Sequence, residues 1–94
     1  MEQIIEGKKY DTDTAKLVAS DRYWDGSNFE RGGRNTRLYK TPNNRFFLHY
    51  STLWQGERDY LEAIGEHTAR SYYEELPEHG LDYLEAFGEE PEEA

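Results

Sequence analysis

Apolar and polar positions alternate over short stretches of the chain and predict a series of small elements. Residues 3–10, in which Ile4-Ile5 precede a Glu6-Gly7 turn, predict a short β-hairpin. Residues 11–14 offer several N-cap side chains ahead of the apolar positions 15 and 17–19, which predicts a helix of about two turns beginning near Thr12 or Asp13. Residues 21–35 carry glycines and polar residues and predict a loop with three aromatic anchors.

The clearest β pattern lies in residues 36–52. Leu38-Tyr39 stand before a Pro42-Asn43-Asn44 turn, and the aromatic-rich residues 45–50 stand after it, which predicts a β-hairpin. Strand alternation places positions 46, 48 and 50 on one face and positions 47 and 49 on the other.

Residues 57–64 are compatible with two predictions. Apolar residues at helical spacing continue from Tyr60 through Gly65 to Leu76, which would give one long helix. A third strand over residues 57–64, followed by a helix over residues 66–76, is favoured in part because glycine inside a helix costs about 1 kcal/mol relative to alanine, and in part by the resemblance described below. Pro77 ends that helix, and residues 81–87 predict a last short one.

These elements predict one small α+β domain over residues 1–87, followed by a disordered acidic tail over residues 88–94. The domain has an N-terminal hairpin and helix, an antiparallel three-stranded meander over residues 36–64, and acidic C-terminal helices packed on it. The predicted core consists of Ile5, Leu17, Val18, Trp24, Leu38, Phe46, Leu48, Ile64, Tyr72, Leu76, Leu84 and Phe87.

Composition supports a folded chain and excludes several kinds of chemistry. Only 35% of residues are hydrophobic, but 15% are aromatic, and disordered chains are poor in aromatic residues. The absence of cysteine excludes disulfides, thiolate nucleophiles and cysteine-ligated metals. No apolar run approaches the length of a membrane span or signal sequence, so we expect a cytoplasmic protein with no membrane contact.

Charge is distributed very unevenly along the chain. Residues 1–56 hold 7 acidic and 9 basic residues, whereas residues 57–94 hold 13 acidic and 2 basic ones. The formal net charge of −9 therefore comes entirely from the last third of the chain, and such asymmetry is typical of a partner-binding surface or an acidic tail.

Several stretches of the sequence, which together cover most of the chain, resemble a set of small acidic bacterial proteins of unassigned role. Residues 4–15 resemble an opening pattern G-K-x-Y-D-T, and residues 38–48 resemble a hairpin pattern L-Y-(R/K)-T-x-x-G-x-(Y/F)-F-L. The chain departs from these proteins at Asn44, where the pattern has glycine, and at Gly65-Glu66-His67, where the helix entry usually contains proline and threonine. Members of this kind look like genes of phages and mobile elements, so the resemblance implies an inhibitor of host defence.

No catalytic or metal-binding pattern is present in the sequence. The three histidines match no metal-ligand spacing, and no serine has the context of a nucleophile, so we expect no enzyme, no cofactor and no metal. A second candidate contact combines arginines with aromatic residues, a composition typical of nucleic-acid contacts, although internal pairing of the arginines with acidic residues is the plainer interpretation. Its members are Trp24, Arg31, Arg34, Arg37, Tyr39 and Trp54.

The acidic last third is the main candidate binding site. On helices, acidic residues three or four positions apart present carboxylates at about 5–6 Å, close to phosphate separations in DNA. The charge alone is also compatible with acidic helices that are only solvated. Together with the resemblance, it predicts a non-enzymatic binding protein, a DNA mimic that inhibits a nucleic-acid enzyme such as a defence nuclease or CRISPR effector. The partner would be a basic protein surface rather than nucleic acid, and the alternative is an interaction module that binds through exposed aromatics. The predicted contact residues are Glu74, Glu75, Glu78, Asp82, Glu85 and Glu89.

Overall fold

The structure, a computed structural model, describes residues 1–21, 34–52, 56 and 58–93. The described residues form a small α+β fold, as predicted. Its elements are β1 (Glu2–Ile5), β2 (Lys8–Asp11), β3 (Lys16–Ser20), β4 (Arg34–Lys40), β5 (Phe46–Thr52), β6 (Tyr60–Ile64), α1 (Glu66–Glu75), β7 (Glu78–His79) and α2 (Tyr83–Phe87).

The predicted N-terminal hairpin is confirmed. Strands β1 and β2 pair antiparallel from Glu2 with Asp11 to Ile5 with Lys8. The two turn residues both have positive φ angles, 52° at Glu6 and 76° at Gly7. Positive φ at both central positions is the geometry of the tight turn that matches strand twist, and glycine adopts it without strain.

The helix predicted to follow this hairpin is wrong, because residues 16–20 form strand β3. The capping side chains serve a turn instead: Asp11 accepts from the backbone N–H of Asp13 through Oδ1 at 2.9 Å. The strand then carries a β-bulge, since Leu17 pairs with Tyr39 and Ala19 with Leu38. The bulge leaves Val18 as an extra residue between the paired positions, and the adjacent Val18 and Ala19 are both buried. The alternation of buried and exposed residues that identifies a strand is therefore missing from this part of the sequence.

The hairpin predicted for residues 36–52 is confirmed by strands β4 and β5, which pair from Arg34 with Thr52 to Lys40 with Phe46. In the connecting turn, the backbone N–H of Thr41 donates to Arg45 O at 2.8 Å and that of Asn44 donates to Thr41 O at 2.9 Å. Asn44 has φ 61°, a conformation that asparagine tolerates better than most residues. The positive φ angle is thus compatible with asparagine at the position where the hairpin pattern described above has glycine.

A third strand after this hairpin is also confirmed, since β6 pairs antiparallel with β5. The sheet is larger than predicted: within the described residues it has five strands in the order β6-β5-β4-β3-β7, and β1 and β2 form a separate two-stranded sheet. Both helices pack on one face of the larger sheet, and the β1–β2 hairpin packs on the other. The described elements therefore form three layers.

Each sheet face carries its own apolar cluster. The helix-side cluster is centred on Val18, Leu38 and Leu48, all fully buried, and it includes Tyr73 of α1 and Phe87 of α2. The hairpin-side cluster contains Tyr10, Phe47 and Leu61, and the Phe47 ring stacks on Tyr39 with centroids 5.2 Å apart. The predicted alternation of residues 46–50 is thus confirmed.

The predicted core is correct in part. Six of its members are buried, and Ile5, Ile64 and Tyr72 are half-buried. The predictions that Leu17 and Leu84 are buried are wrong, since 38% and 46% of their surfaces are exposed. Trp24 lies outside the described residues. Helix α2 turns Tyr83, Ala86 and Phe87 inward instead of Leu84. Four large core residues were not predicted: Tyr10, Phe47, Leu61 and Tyr73.

The described tail, residues 88–93, contains no helix or strand. Its predicted disorder stays a prediction, as does the domain boundary at residue 87.

Gly80 lies where strand β7 meets β3, and we expect its replacement by alanine to destabilise the protein. A β-carbon at Gly80 would stand 2.5 Å from the backbone oxygen of Leu17, which cannot move without disturbing the bulge. Overpacking of this kind costs about 1–3 kcal/mol, so Gly80→Ala should lower the free energy of unfolding measured in urea by that amount.

Gly65 provides the contrast to Gly80. It is the N-cap of α1, it makes no side-chain capping bond, and a β-carbon there meets nothing within 4 Å. Gly65→Ser should leave stability unchanged or raise it by a few tenths of a kcal/mol. Equal destabilisation by both substitutions would contradict the close contact at Gly80.

Candidate functional site

The six predicted acidic contact residues are all exposed, and together they define the acidic surface. Glu74 and Glu75 form the end of α1, and Glu78 lies in the edge strand β7. Asp82 is the N-cap of α2, Glu85 is in its first turn, and Glu89 follows its C-cap, Gly88.

The helical spacing expected for these carboxylates is not realised. Helix α1 ends at Glu75, so Glu78 does not continue its face. Helix α2 contains only Tyr83–Phe87, and Gly88 leaves the helix with φ 79°, so Asp82, Glu85 and Glu89 do not form one helical row. Any resemblance to a row of phosphates therefore depends on the turns between elements and not on helix periodicity.

Asp82 and Glu85 have a structural role within α2. The Asp82 carboxylate accepts the backbone N–H of Glu85 at 2.8 Å, and the Glu85 carboxylate accepts the backbone N–H of Asp82 at 3.4 Å. This reciprocal capping box satisfies backbone groups at the start of a helix that is too short to be stable alone.

Glu89 also has a structural role, through Arg70. The Arg70 guanidinium contacts Glu89 at 2.6 Å, Glu66 at 3.3 Å and the Tyr83 hydroxyl at 2.9 Å. It also lies 5.1 Å from the centroid of the Phe87 ring. Arg70 therefore joins α1 to α2 and the following residues by ionic, hydrogen-bonding and cation–π contacts.

Glu74, Glu75 and Glu78 make no such contact. None of the three forms an ion pair within the described ranges, and no basic residue lies in the last turn of α1. Carboxylates at a helix C-terminus are unfavourable, because the helix dipole places partial negative charge there. These three residues, which we call the free acidic triad, are thus not explained by stabilisation of the described fold.

The second candidate contact lies largely outside the described residues. Trp24, Arg31 and Trp54 fall outside them, and of Arg34 only the backbone is described. Arg37 and Tyr39 are half-buried on β4, on the hairpin side of the sheet. Arg37 donates to Ser51 Oγ at 3.3 Å rather than to an acidic residue, and Tyr39 packs on Phe47. The structure therefore places Tyr39 in the apolar packing and puts Arg37 on the sheet face opposite the helices.

His49 is a half-buried histidine that the sequence did not single out. Its two ring nitrogens are inaccessible and have no hydrogen-bond partner within the described part of the chain, and Nε2 lies 3.6 Å from Asp59 Oδ2. Burial, followed by the positive charge of Arg37, lowers its pKa below the usual 6.5, although Asp59 opposes this shift.

Two cavities that are lined by described residues open on the helix side of the sheet. One, of about 300 Å³, is lined mainly by polar residues that include Lys16, Lys40 and Asn44. The other, of about 250 Å³, shares Lys40 and Asn44 and is bounded by Phe87. Neither of them is lined by His49. In the parts of the chain that the structure describes, no three histidine or acidic side chains converge as a metal site would require.

Comparisons with known proteins give no relative for this chain: no family model, no curated protein and no solved structure matches it. The resemblance seen in residues 4–15 and 38–48 therefore stays a prediction. Neither described helix has the length and apolar character needed to cross a membrane.

The capping box predicts a measurable difference between acidic residues. Asp82→Ala should lower the free energy of unfolding by about 1 kcal/mol, because it removes the N-cap of α2. Glu78→Ala, an exposed substitution outside the helices, should change it by less than about 0.5 kcal/mol. Urea unfolding followed by circular dichroism would measure both, and equal losses would contradict a special structural role for Asp82.

His49 predicts a pH dependence of stability. Because its folded pKa lies below 6.5, the unfolded chain takes up this proton more readily than the folded protein, and stability falls as pH drops below 6.5. His49→Gln should therefore lose less stability than wild type between about pH 7.5 and pH 5.5. His67→Gln, at an exposed position of α1, is the matched control and should follow wild type. Parallel profiles for all three proteins would exclude a lowered pKa at His49.

Proposed function

We propose that this protein is a non-enzymatic binding protein whose acidic surface engages a basic surface on another protein. The observation that supports it best is the free acidic triad, Glu74, Glu75 and Glu78. These carboxylates are exposed and lack ion pairs in the described part of the chain, and two of them oppose the dipole of α1. A cationic partner would turn this unfavourable arrangement into an attractive one.

The other carboxylates of the acidic surface make contacts within the protein, and they contribute to binding mainly through their negative charge. Asp82 and Glu85 cap α2, and Glu89 holds Arg70, so these three carboxylates shape the surface and add to its negative field. The exposed tail residues 90, 92 and 93 add three further acids. Complementary charge of this kind accelerates association and makes it dependent on salt.

The partner class that fits this surface best is a nucleic-acid enzyme. Proteins that bind DNA present arginine and lysine side chains toward phosphates, and a cluster of carboxylates can occupy the same positions. We therefore propose a DNA mimic that competes with nucleic acid, with a defence nuclease or CRISPR effector as the candidate target. The implied anti-defence role rests on the sequence resemblance alone.

The test is a capture experiment from host lysate at about 0.1 M and about 0.5 M salt, with wild type and Glu74→Gln/Glu75→Gln/Glu78→Gln. Wild type should retain a nucleic-acid-binding protein only at low salt, and added duplex DNA should release it, because screening and competition both remove the electrostatic contact. The triple variant should fold normally and retain nothing.

The matched control removes the same charge elsewhere. Glu90→Gln/Glu92→Gln/Glu93→Gln also changes the net charge by three units, but it leaves the free acidic triad intact. It should capture the partner nearly as well as wild type. If the triad variant still binds, or if binding resists both salt and DNA, the contact lies elsewhere, and an aromatic interaction surface becomes the better account.

A further inference from the structure

The larger cavity contains an arrangement of charge that the fold alone does not explain. Lys16 of β3 and Lys40 of β4 are direct cross-strand partners, and both line the cavity. Like charges directly opposite each other on paired strands are destabilising. In a chain with 20 acidic residues, neither lysine forms an ion pair within the described residues.

The two lysines are presented differently. Lys40 is half-buried, and its ammonium donates to the backbone oxygen of Glu85 at 3.1 Å, which fixes it against α2 and leaves two of its three donor hydrogens for a ligand. Lys16 is exposed, and no hydrogen bond holds its ammonium in the described part of the chain. One positive charge is therefore pre-positioned, and the second can close over a bound group.

Neutral donors stand beside the two charges. Thr41 uses its oxygen to accept the Arg45 N–H at 3.1 Å, so its hydroxyl hydrogen can be donated to a ligand. The Asn44 side chain also lines the cavity and makes no hydrogen bond within the described ranges. Thr14 also lines the cavity, but its hydroxyl already donates to Asp11 O at 3.4 Å.

One carboxylate, that of Glu85, also lines the cavity, but its hydrogen bond to the Asp82 N–H engages it in the capping box. The local formal charge of the lining residues is thus positive although the whole chain carries −9. Salt screens the distant acids beyond about 8 Å, whereas the lysines would touch the ligand directly.

From this combination of paired lysines, neutral donors and a cavity of about 300 Å³, we infer that the cleft between β3, β4 and α2 binds a phosphate group. Lysine is a common point-charge ligand for phosphate, and hydroxyl and amide donors complete its coordination. The volume lies at the lower end of small-molecule sites and exceeds what free phosphate needs, so the site suits a small phosphate monoester. This inference does not rest on the proposed partner surface.

The experiment titrates isotope-labelled protein with glycerol 3-phosphate, inorganic phosphate and, as the uncharged control, glycerol, and follows backbone amides by NMR. Glycerol 3-phosphate should give saturable shifts confined to residues 14–16, 40–45 and the start of α2, whereas glycerol should give none. Comparable affinity for inorganic phosphate would identify the phosphate group alone as the ligand, and weaker affinity would show that the cleft also contacts the organic part. Absence of saturable shifts with both phosphates would overturn the proposal.

Lys16→Met isolates the charge, because this exposed side chain holds no other group in the described structure. It should weaken phosphate binding about tenfold or more, as expected for loss of a charge-assisted hydrogen bond. It should also raise the melting temperature in phosphate-free buffer, because it relieves the repulsion from Lys40. Lys8→Met removes the same charge from the exposed β2 strand and should leave both properties as in wild type. Equal weakening by the two variants would show only a general charge effect and would overturn the site.

Discussion

Strand β5 is the element on which the rest of the fold depends, because it supplies large apolar side chains to both faces of the sheet. Phe46 and Leu48 are buried under the helices, while Phe47 is buried under the N-terminal hairpin. A sheet that is apolar on both faces needs cover on both, because apolar surface stabilises a fold only when it is removed from water. The hairpin, the sheet and the helices are therefore mutually dependent layers.

Among the described residues, two cations hold the C-terminal third to this framework. Lys40 connects β4 to the backbone of α2, and Arg70 connects α1 to α2 through Tyr83, Phe87 and Glu89. Residues 57–94 hold 13 acidic residues and only 2 basic ones, so most carboxylates there have no cation available nearby in sequence. The two cations therefore provide attraction where β4, α1 and α2 meet. The acidic residues in excess lie outside these contacts.

The sequence predicted the local features and missed those that depend on register. Both hairpins followed from turn residues between apolar runs, and the alternation along β5 was readable directly. Strand β3 could not be predicted from the alternation of residues, because the bulge at Val18 buries two neighbouring residues and imitates helical spacing. The acidic residues were found from charge alone, but their division into capping, pairing and free carboxylates requires the ends of α1 and α2. The juxtaposition of Lys16 and Lys40 follows from the pairing of β3 with β4, which no local pattern encodes. Arg70 did leave a sequence signal, since Glu66 stands four residues before it.

The bulge at Val18 also has a consequence for how the chain reaches its final form. The carbonyl oxygen of Val18 accepts hydrogen bonds from the backbone N–H groups of Gly80 and Leu81. The next residue, Ala19, pairs with His79, sixty positions later in the chain. Closing so long a loop is entropically costly, and contacts between distant residues slow folding. During synthesis from the N-terminus, the outer side of β3 lacks this partner until residues 78–81 have been made. The sheet can be completed at β7 only once these residues are available, and a chain truncated before residue 78 would leave the buried bulge at an open edge.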